Sequence, residues 1–227
     1  MSTSTRYIFL HVAIVFLLSA QSAYSQSFQP QFRFSFGGGM IISDFDISEG
    51  KPGLSLEGAA YYQWSKNLRA GINIGYHKVA GSEDGISDSN GGYSFNSQLF
   101  DVIGRFEYVF TFAEYPIRKW SQKLHPYIYS GAGILQAQSD LYQNSTGHRV
   151  DTGPEYITVT PVISGGAGIY IKISNLWFLC FEGGTNYSFS DSLESYSDEA
   201  HSSSKDMYHG LNVRLIWSEP LGFARGR

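Results

Sequence analysis

The sequence contains a single cysteine, Cys180, so it cannot form an internal disulfide. After residue 18 it has no apolar run long enough for a membrane-spanning helix, which needs about 20 residues. Any crossing of a membrane must therefore be made by strands. A basic surplus is also absent, because the formal net charge is -4. This balance excludes an extended surface for nucleic acid.

Signatures of catalysis and metal binding are missing as well. The six histidines show no spacing that is typical of metal ligands. His201 and Ser203 are close in sequence, but they lie in the serine-rich run HSSSK, where chance explains their spacing. The sequence therefore predicts a protein that is not an enzyme and that has no cofactor and no metal site.

The N-terminus is typical of a secretory signal peptide. Arg6 supplies a positive charge, and an apolar run from Tyr7 to Leu18 is followed by small residues. We predict a signal peptide in residues 1–25 and one domain in residues 26–227. The alternative is an anchor that is not cleaved, but the apolar run is short for a spanning helix.

The mature chain repeats a two-residue rhythm that is typical of strands. Between residues 68 and 77, Leu68, Ile72 and Ile74 share one parity, whereas Arg69 and Asn73 share the other. Successive side chains of a strand point to opposite faces, so each such segment has one apolar and one polar face. The pattern predicts eight strands, at residues 32–42, 54–64, 68–78, 94–112, 126–138, 156–172, 176–189 and 208–218.

Charged residues occupy the polar face of these strands. Four are basic and four are acidic: Arg33, Glu57, Arg69, Asp101, Arg105, Glu107, Glu182 and Arg214. An arginine that faces lipid at mid-depth costs about 2–4 kcal/mol, so four would cost about 8–16 kcal/mol, comparable to the whole stability of a domain. In a membrane barrel these residues must face inward, where an eight-stranded interior is just filled by side chains. The charges then have to pair, which predicts a plugged interior and not an open pore.

Strand parity alone leaves a second architecture open, a soluble exported barrel or sandwich with its apolar face inside. Long apolar faces, aromatic residues near strand ends and a charged face rich in glycine and poor in lysine favour the membrane. The glycines on the charged parity, such as Gly37, Gly71 and Gly184, either leave room for large side chains or only mark bends.

The connections indicate an orientation in that membrane. Short turns and long polar connections alternate, as in outer-membrane barrels with short periplasmic turns and long external loops. The exception is a long connection over residues 113–125, which would be periplasmic. It contains Arg118, Lys119 and Lys123, so it is either a contact for a periplasmic partner or a solvated loop.

Several stretches of the chain resemble one known group, the small outer-membrane β-barrels that include the PorG-like component of the type IX secretion machinery. The similar stretches are FRFSFGGGM, YSFNSQLFDVIGRFEYVF, HPYIYSGAGIL and ISGGAGIYIKISNLWFLCFEGGTNYSFSDSL. The resemblance implies an eight-stranded barrel and a role in anchoring periplasmic secretion components. Outer-membrane barrels commonly end with an aromatic residue at the end of the last strand. This chain departs from that pattern, because its last strand is expected to end near Trp217 and residues 219–227 follow as a tail.

Together these observations predict an all-β protein, an eight-stranded antiparallel transmembrane β-barrel in the bacterial outer membrane. Its expected role is structural or docking, in a type IX secretion complex if the resemblance holds. The alternative role is a small pore or a lipid-active barrel. Expected partners are outer-membrane lipid and periplasmic secretion proteins, but not nucleic acid.

Overall fold

The structure is a computed structural model that describes residues 31–45, 48–49, 51–82, 93–110, 124–143, 157–190 and 206–220. The expected signal peptide, residues 1–25, lies outside the described residues. None of the residues described here forms a helix that is long and apolar enough to cross a membrane.

Eight long strands form a closed antiparallel barrel. Each strand pairs with the next along the chain, and the first strand pairs with the last from Gln31–Pro220 to Asp44–Met207. A two-residue strand, Ser48–Glu49, extends the hairpin beyond β1. The long strands are β1 Gln31–Phe45, β2 Lys51–Gln63, β3 Leu68–Ser82, β4 Tyr93–Val109, β5 Leu124–Gln143, β6 Ile157–Lys172, β7 Trp177–Ser188 and β8 Met207–Pro220.

The structure confirms the predicted fold class. Several strands extend further at one end than the sequence pattern predicts. The connections at residues 64–67 and 173–176 mark what we call the short-turn end, and the opposite end is the long-loop end. At the long-loop end β3 continues to Ser82 and β5 to Gln143, where the sequence pattern predicted loops. The expected loops start too early because these outer segments still alternate: Val79 and Ser139 point inward and are buried.

The outer face of the barrel is a belt of large apolar side chains. Leu54 is 70% exposed and Phe36 is 69% exposed, values that would be costly in water but not in lipid. At about 3.3 Å per residue and a tilt of about 40°, the run from Phe32 to Ile42 spans about 25 Å, the height of the apolar band of membrane barrels. The soluble alternative, with this face inside, is therefore wrong.

Aromatic residues concentrate in this belt near the short-turn end. Phe34 stacks on Trp217 with ring centroids 5.8 Å apart, and Phe32 packs on Tyr62 at 5.3 Å. Trp64 and Trp177 are also exposed there. Such rings are favourable at the boundary between lipid and water, so this end lies at one membrane interface.

Two apolar layers close the interior above and below its charged centre. The layer toward the long-loop end contains Ile41, Val79, Phe95, Leu99, Ile103, Leu135, Ala137, Val162 and Tyr208. The layer toward the short-turn end contains Val109, Tyr127, Tyr170, Phe178, Cys180 and Ile216. These layers explain why the sequence of β4 carries apolar residues on its polar face, and why β5 shows no clear parity.

The candidate functional site in the barrel interior

All eight charged residues that the sequence singles out point into the barrel and are buried. The side chain of Arg214 is fully enclosed, with 0% of its surface exposed. The other seven are each exposed by less than a tenth: Arg33, Glu57, Arg69, Asp101, Arg105, Glu107 and Glu182. Charges buried to this extent need partners, so their contacts decide what the interior can do.

Glu182 on β7 is the centre of these contacts. Arg105, which reaches across the lumen from β4, forms a two-pronged pair with it: Nη1 donates to Oε1 at 2.9 Å and Nη2 donates to Oε2. Arg214 on β8 and the hydroxyl of Tyr127 on β5 donate to the same Oε2 atom. One carboxylate therefore ties together four strands, and a fork-shaped pair of this type is among the strongest in proteins.

Two more carboxylates extend this arrangement into one chain of charges. Glu107 lies 3.6 Å from Arg69 and 3.4 Å from Arg105, and it accepts a hydrogen bond from Tyr170 at 2.6 Å. At the other end Glu57 lies 3.8 Å from Arg214. We call this chain the ion network; its members are Arg69, Glu107, Arg105, Glu182, Arg214 and Glu57. It carries equal numbers of positive and negative groups, so it is neutral as a unit.

Arg33 stands apart from the ion network, near the short-turn end. Its Nη2 atom is 3.5 Å from the side-chain oxygen of Gln31, and its guanidinium lies 4.6 Å from the centre of the Phe178 ring. Its Nε and Nη1 atoms have no hydrogen-bond partner, and no described carboxylate lies within 4 Å of it. The expectation that all eight charges pair with one another is therefore wrong for Arg33, and it is also wrong for Asp101, whose partners are His77 and Tyr208.

Asp101 also stands outside the ion network, and it pairs with a residue that the sequence analysis missed. His77 lies between two neighbours, with Nδ1 3.0 Å from the hydroxyl of Ser55 and Nε2 3.0 Å from Oδ2 of Asp101. Tyr208 donates to the same Oδ2 atom at 2.9 Å. The pairing of Ser55 with His77 could have been predicted from the sequence, because the short turn between β2 and β3 sets the register that places these two residues directly opposite each other.

A hydroxyl, an imidazole and a carboxylate in this order resemble the relay of acyl-transfer enzymes, but the group is buried and has little space beside it. Ser55 is buried, and the cavity beside it has a volume of about 20 Å³, the space of roughly one water molecule. A relay needs room for a substrate next to the hydroxyl, which this cavity does not provide. Among the described residues, no three His, Cys, Asp or Glu side chains are grouped so as to hold a metal ion.

Glycines on the charged parity make the room that the interior needs. A Cβ atom at Gly184 would collide with the hydroxyl of Tyr129, and one at Gly168 would collide with the ring of Tyr127. At Gly37 the added atom would first meet the backbone oxygen of Val213, and then Arg214. Gly184 and Gly168 support the first of the two explanations for the strand glycines, since tyrosine side chains occupy the space that they leave free, whereas Gly37 also allows a close approach of the neighbouring backbone.

The architecture matches that of known outer-membrane barrels. Neisserial surface protein A is 12% identical over 82% of this chain and 96% of its own, with a TM-score of 0.52. A major outer membrane protein from Thermus thermophilus is 13% identical over 83% of this chain and 99% of its own, with a TM-score of 0.50. At these identities the likeness shows the fold alone, and it agrees with the expected location in a bacterial outer membrane.

No functionally curated protein matches the sequence. The relatives found support the outer-membrane barrel part of the expected resemblance, while the PorG-like part stays a prediction. Residues 12–214 match the family described as a domain of unknown function, DUF6089, and the chain belongs to that family.

Proposed function

We propose that the protein is a non-catalytic barrel of the outer membrane that serves as a docking element for periplasmic proteins, as the PorG-like components of type IX secretion do. One observation supports this role above the others: the interior is filled by a self-neutralised ion network between two apolar layers. A barrel that is sealed in this way acts through its ends and not through its lumen.

The energetics of the ion network argue against a pore as the alternative function. A water-filled passage would have to separate Glu182 from Arg105 or Arg214, and breaking a buried pair of this kind costs about 3–5 kcal/mol. Planar-bilayer recordings of the refolded barrel should therefore show no steady conductance. A stable channel current would contradict the docking proposal and favour the pore.

The short-turn end offers the chemistry of a docking surface. Lys66 lies there in the turn between β2 and β3, and Lys172 lies at the end of β6. The connection from β4 to β5 contains Arg118, Lys119 and Lys123 in its sequence. That connection lies outside the described residues. A partner with an acidic surface would complement these charges and would associate faster for it.

A charge-reversal experiment tests the docking role. Arg118, Lys119 and Lys123 would be changed together to Glu, and a matched variant would reverse Lys51 and Lys78, which are exposed at the long-loop end. After cross-linking in intact cells, the first variant should lose the periplasmic protein that purifies with the wild-type barrel, and the matched variant should keep it. Absence of any such partner, together with normal secretion in a deletion strain, would refute the docking role.

A further inference from the structure

Arg33 is a buried cation that none of the described carboxylates neutralises. It is the second inward-facing residue of β1, counted from the short-turn end, and only 7% of it is exposed. The ion network is neutral without it, so its charge is left over at this end of the lumen. Because a guanidinium stays protonated at physiological pH, this surplus charge is permanent.

The guanidinium of Arg33 also lacks hydrogen-bond acceptors in the described part of the barrel. Nε and Nη1 have no partner, and Nη2 has only the side-chain oxygen of Gln31, at 3.5 Å. The ring of Phe178 attracts the charge but offers no lone pair to the N–H groups. Unmet donors inside a protein are costly, and a group that only donates needs acceptors. The position therefore calls for an anion with more than one accepting oxygen.

The side-chain oxygen of Gln31 marks a place where such an acceptor fits. Besides its contact with Arg33, this Oε1 atom accepts a hydrogen bond from the hydroxyl of Ser218 at 2.9 Å. Ser218 is directly opposite Arg33 in the pairing of β8 with β1, so one oxygen reaches donors on two strands. Gln31 is the first residue of β1 and only half-buried, so its side chain has room to turn outward and vacate this place.

A carboxylate would serve this place better than the carboxamide of Gln31 does. The carboxamide has a single accepting oxygen, and its NH₂ group donates, as the guanidinium does. A carboxylate has two accepting oxygens and a negative charge, so it keeps the bond from Ser218 and accepts from a further nitrogen of Arg33. The contact that it replaces is at the limit of hydrogen-bonding distance and costs little to break.

We infer that Arg33 and Ser218 form a binding position for one carboxylate of a periplasmic partner, which displaces the side chain of Gln31. This inference rests on the proposed docking role, because it names the chemical group by which the partner engages the barrel. Lipid headgroups are another source of anions, but the strand wall separates them from the inward-facing Arg33. An acidic side chain or a C-terminus that enters the lumen at the short-turn end meets no such wall.

A first experiment tests whether the position accepts a carboxylate. Gln31→Glu supplies one from the chain itself and should raise the thermal unfolding temperature of the refolded barrel in detergent by about 2–6 °C. The increase should vanish when Gln31→Glu is combined with Arg33→Met. Gln98→Glu, exposed toward the long-loop end, is the control and should give no increase. A Gln31→Glu barrel that is no more stable than the wild type, or an equal increase without Arg33, would overturn the inference.

A second experiment supplies the carboxylate from outside. Tetraglutamate is titrated by calorimetry into the full-length barrel in phosphatidylcholine nanodiscs, with amidated tetraglutamine as its uncharged counterpart. Tetraglutamate should bind about 10–100-fold more weakly to Arg33→Met than to the wild type, because a charge-assisted bond is lost. Tetraglutamine should bind neither barrel. Equal affinity of tetraglutamate for both barrels would overturn the inference and leave water as the acceptor.

Cross-linking in intact cells separates this inference from the docking role. Arg33→Met should reduce recovery of the periplasmic partner, as reversal of Arg118, Lys119 and Lys123 should. Equal recovery from Arg33→Met and wild-type cells would overturn the inference and leave the docking role intact. Recovery of no partner from wild-type cells would refute the docking role itself, whatever the results with Gln31→Glu and tetraglutamate.

Discussion

The inner and outer faces of the barrel wall are made by the same eight strands, yet they carry opposite kinds of side chain. Outward-facing Leu211 is 67% exposed, whereas its inward-facing neighbours on β8 include Arg214, which is completely buried. A soluble protein would reverse this arrangement, since water favours the charges and excludes the apolar groups. The comparison shows that the surrounding lipid, and not hydrophobicity alone, decides which parity of a strand faces inward.

The two faces also differ in how their residues depend on one another. Aliphatic residues of the outer belt face lipid and share no polar partners, so each should contribute largely on its own, unlike the stacked ring pairs Phe34–Trp217 and Phe32–Tyr62. The charged residues of the lining share partners, as Glu182 does between Arg105 and Arg214. Substitutions inside should therefore have larger and less additive effects than substitutions of similar size outside.

The largest effect is expected at the centre of the ion network. Glu182→Gln keeps the shape of the side chain but leaves Arg105 and Arg214 with an uncompensated buried charge, which should cost about 3–5 kcal/mol in the free energy of unfolding. Urea titration of the barrel in lipid vesicles measures the change. The exposed Glu219→Gln is the control and should stay within about 0.5 kcal/mol. A cost below about 1 kcal/mol for Glu182→Gln would contradict the central role of Glu182.

The next largest effect is expected in the outer belt. Ile72 faces lipid on β3, so Ile72→Arg should lower the free energy of unfolding by about 2–4 kcal/mol. Gln136→Arg, also exposed but toward the long-loop end of β5, should cost about 0–1 kcal/mol because the charge can reach the interface. The same urea titrations measure both variants. Equal costs at the two positions would mean that the belt does not lie across the bilayer as described.

The sequence predicts the wall better than it predicts the contacts inside it. Alternation depends only on neighbours in the chain, so the parity of Arg69 or Glu182 could be read directly. Short turns fix the register of the hairpins that they close, so the pairing of Ser55 with His77 can be predicted from the sequence. The pattern places strand ends too early at the long-loop end, because inward residues there, such as Val79 and Ser139, carry no charge that would mark the polar face.

Contacts across the lumen could not be predicted from alternation. The pair between Arg105 and Glu182 joins β4 and β7, which are not neighbours in the sheet. The pair can form only because closure of the barrel places these two strands so that their inward side chains meet across the lumen. Nothing local in the sequence distinguishes Arg105 from Arg33, which shares its residue type and face but pairs with no carboxylate. The cavity beside Ser55 has the same origin, because its lining comes from residues far apart in the chain.

A smaller effect is expected where the lining depends on glycine. Gly184→Val would place new atoms against the hydroxyl of Tyr129, and overpacking of this kind should cost about 1–3 kcal/mol. Gly165→Val is the matched control on the adjacent strand, since a Cβ there meets only the backbone oxygen of Tyr129 at 3.8 Å and faces lipid. Unfolding in urea should show a loss for Gly184→Val alone. Equal losses for both would assign the effect to the backbone and not to the space for Tyr129.

The smallest effect is expected at Arg33, and it separates the ion network from the rest of the lining. Arg33→Met removes a buried charge that has no carboxylate partner but stacks on Phe178, so the two contributions oppose each other and the free energy of unfolding should change by less than about 1 kcal/mol. Arg214→Met, on the same face, should lose about 3–5 kcal/mol, because it leaves Glu182 and Glu57 without their shared partner. Measured side by side in urea, a loss at Arg33 as large as that at Arg214 would show that inward position matters and membership of the ion network does not.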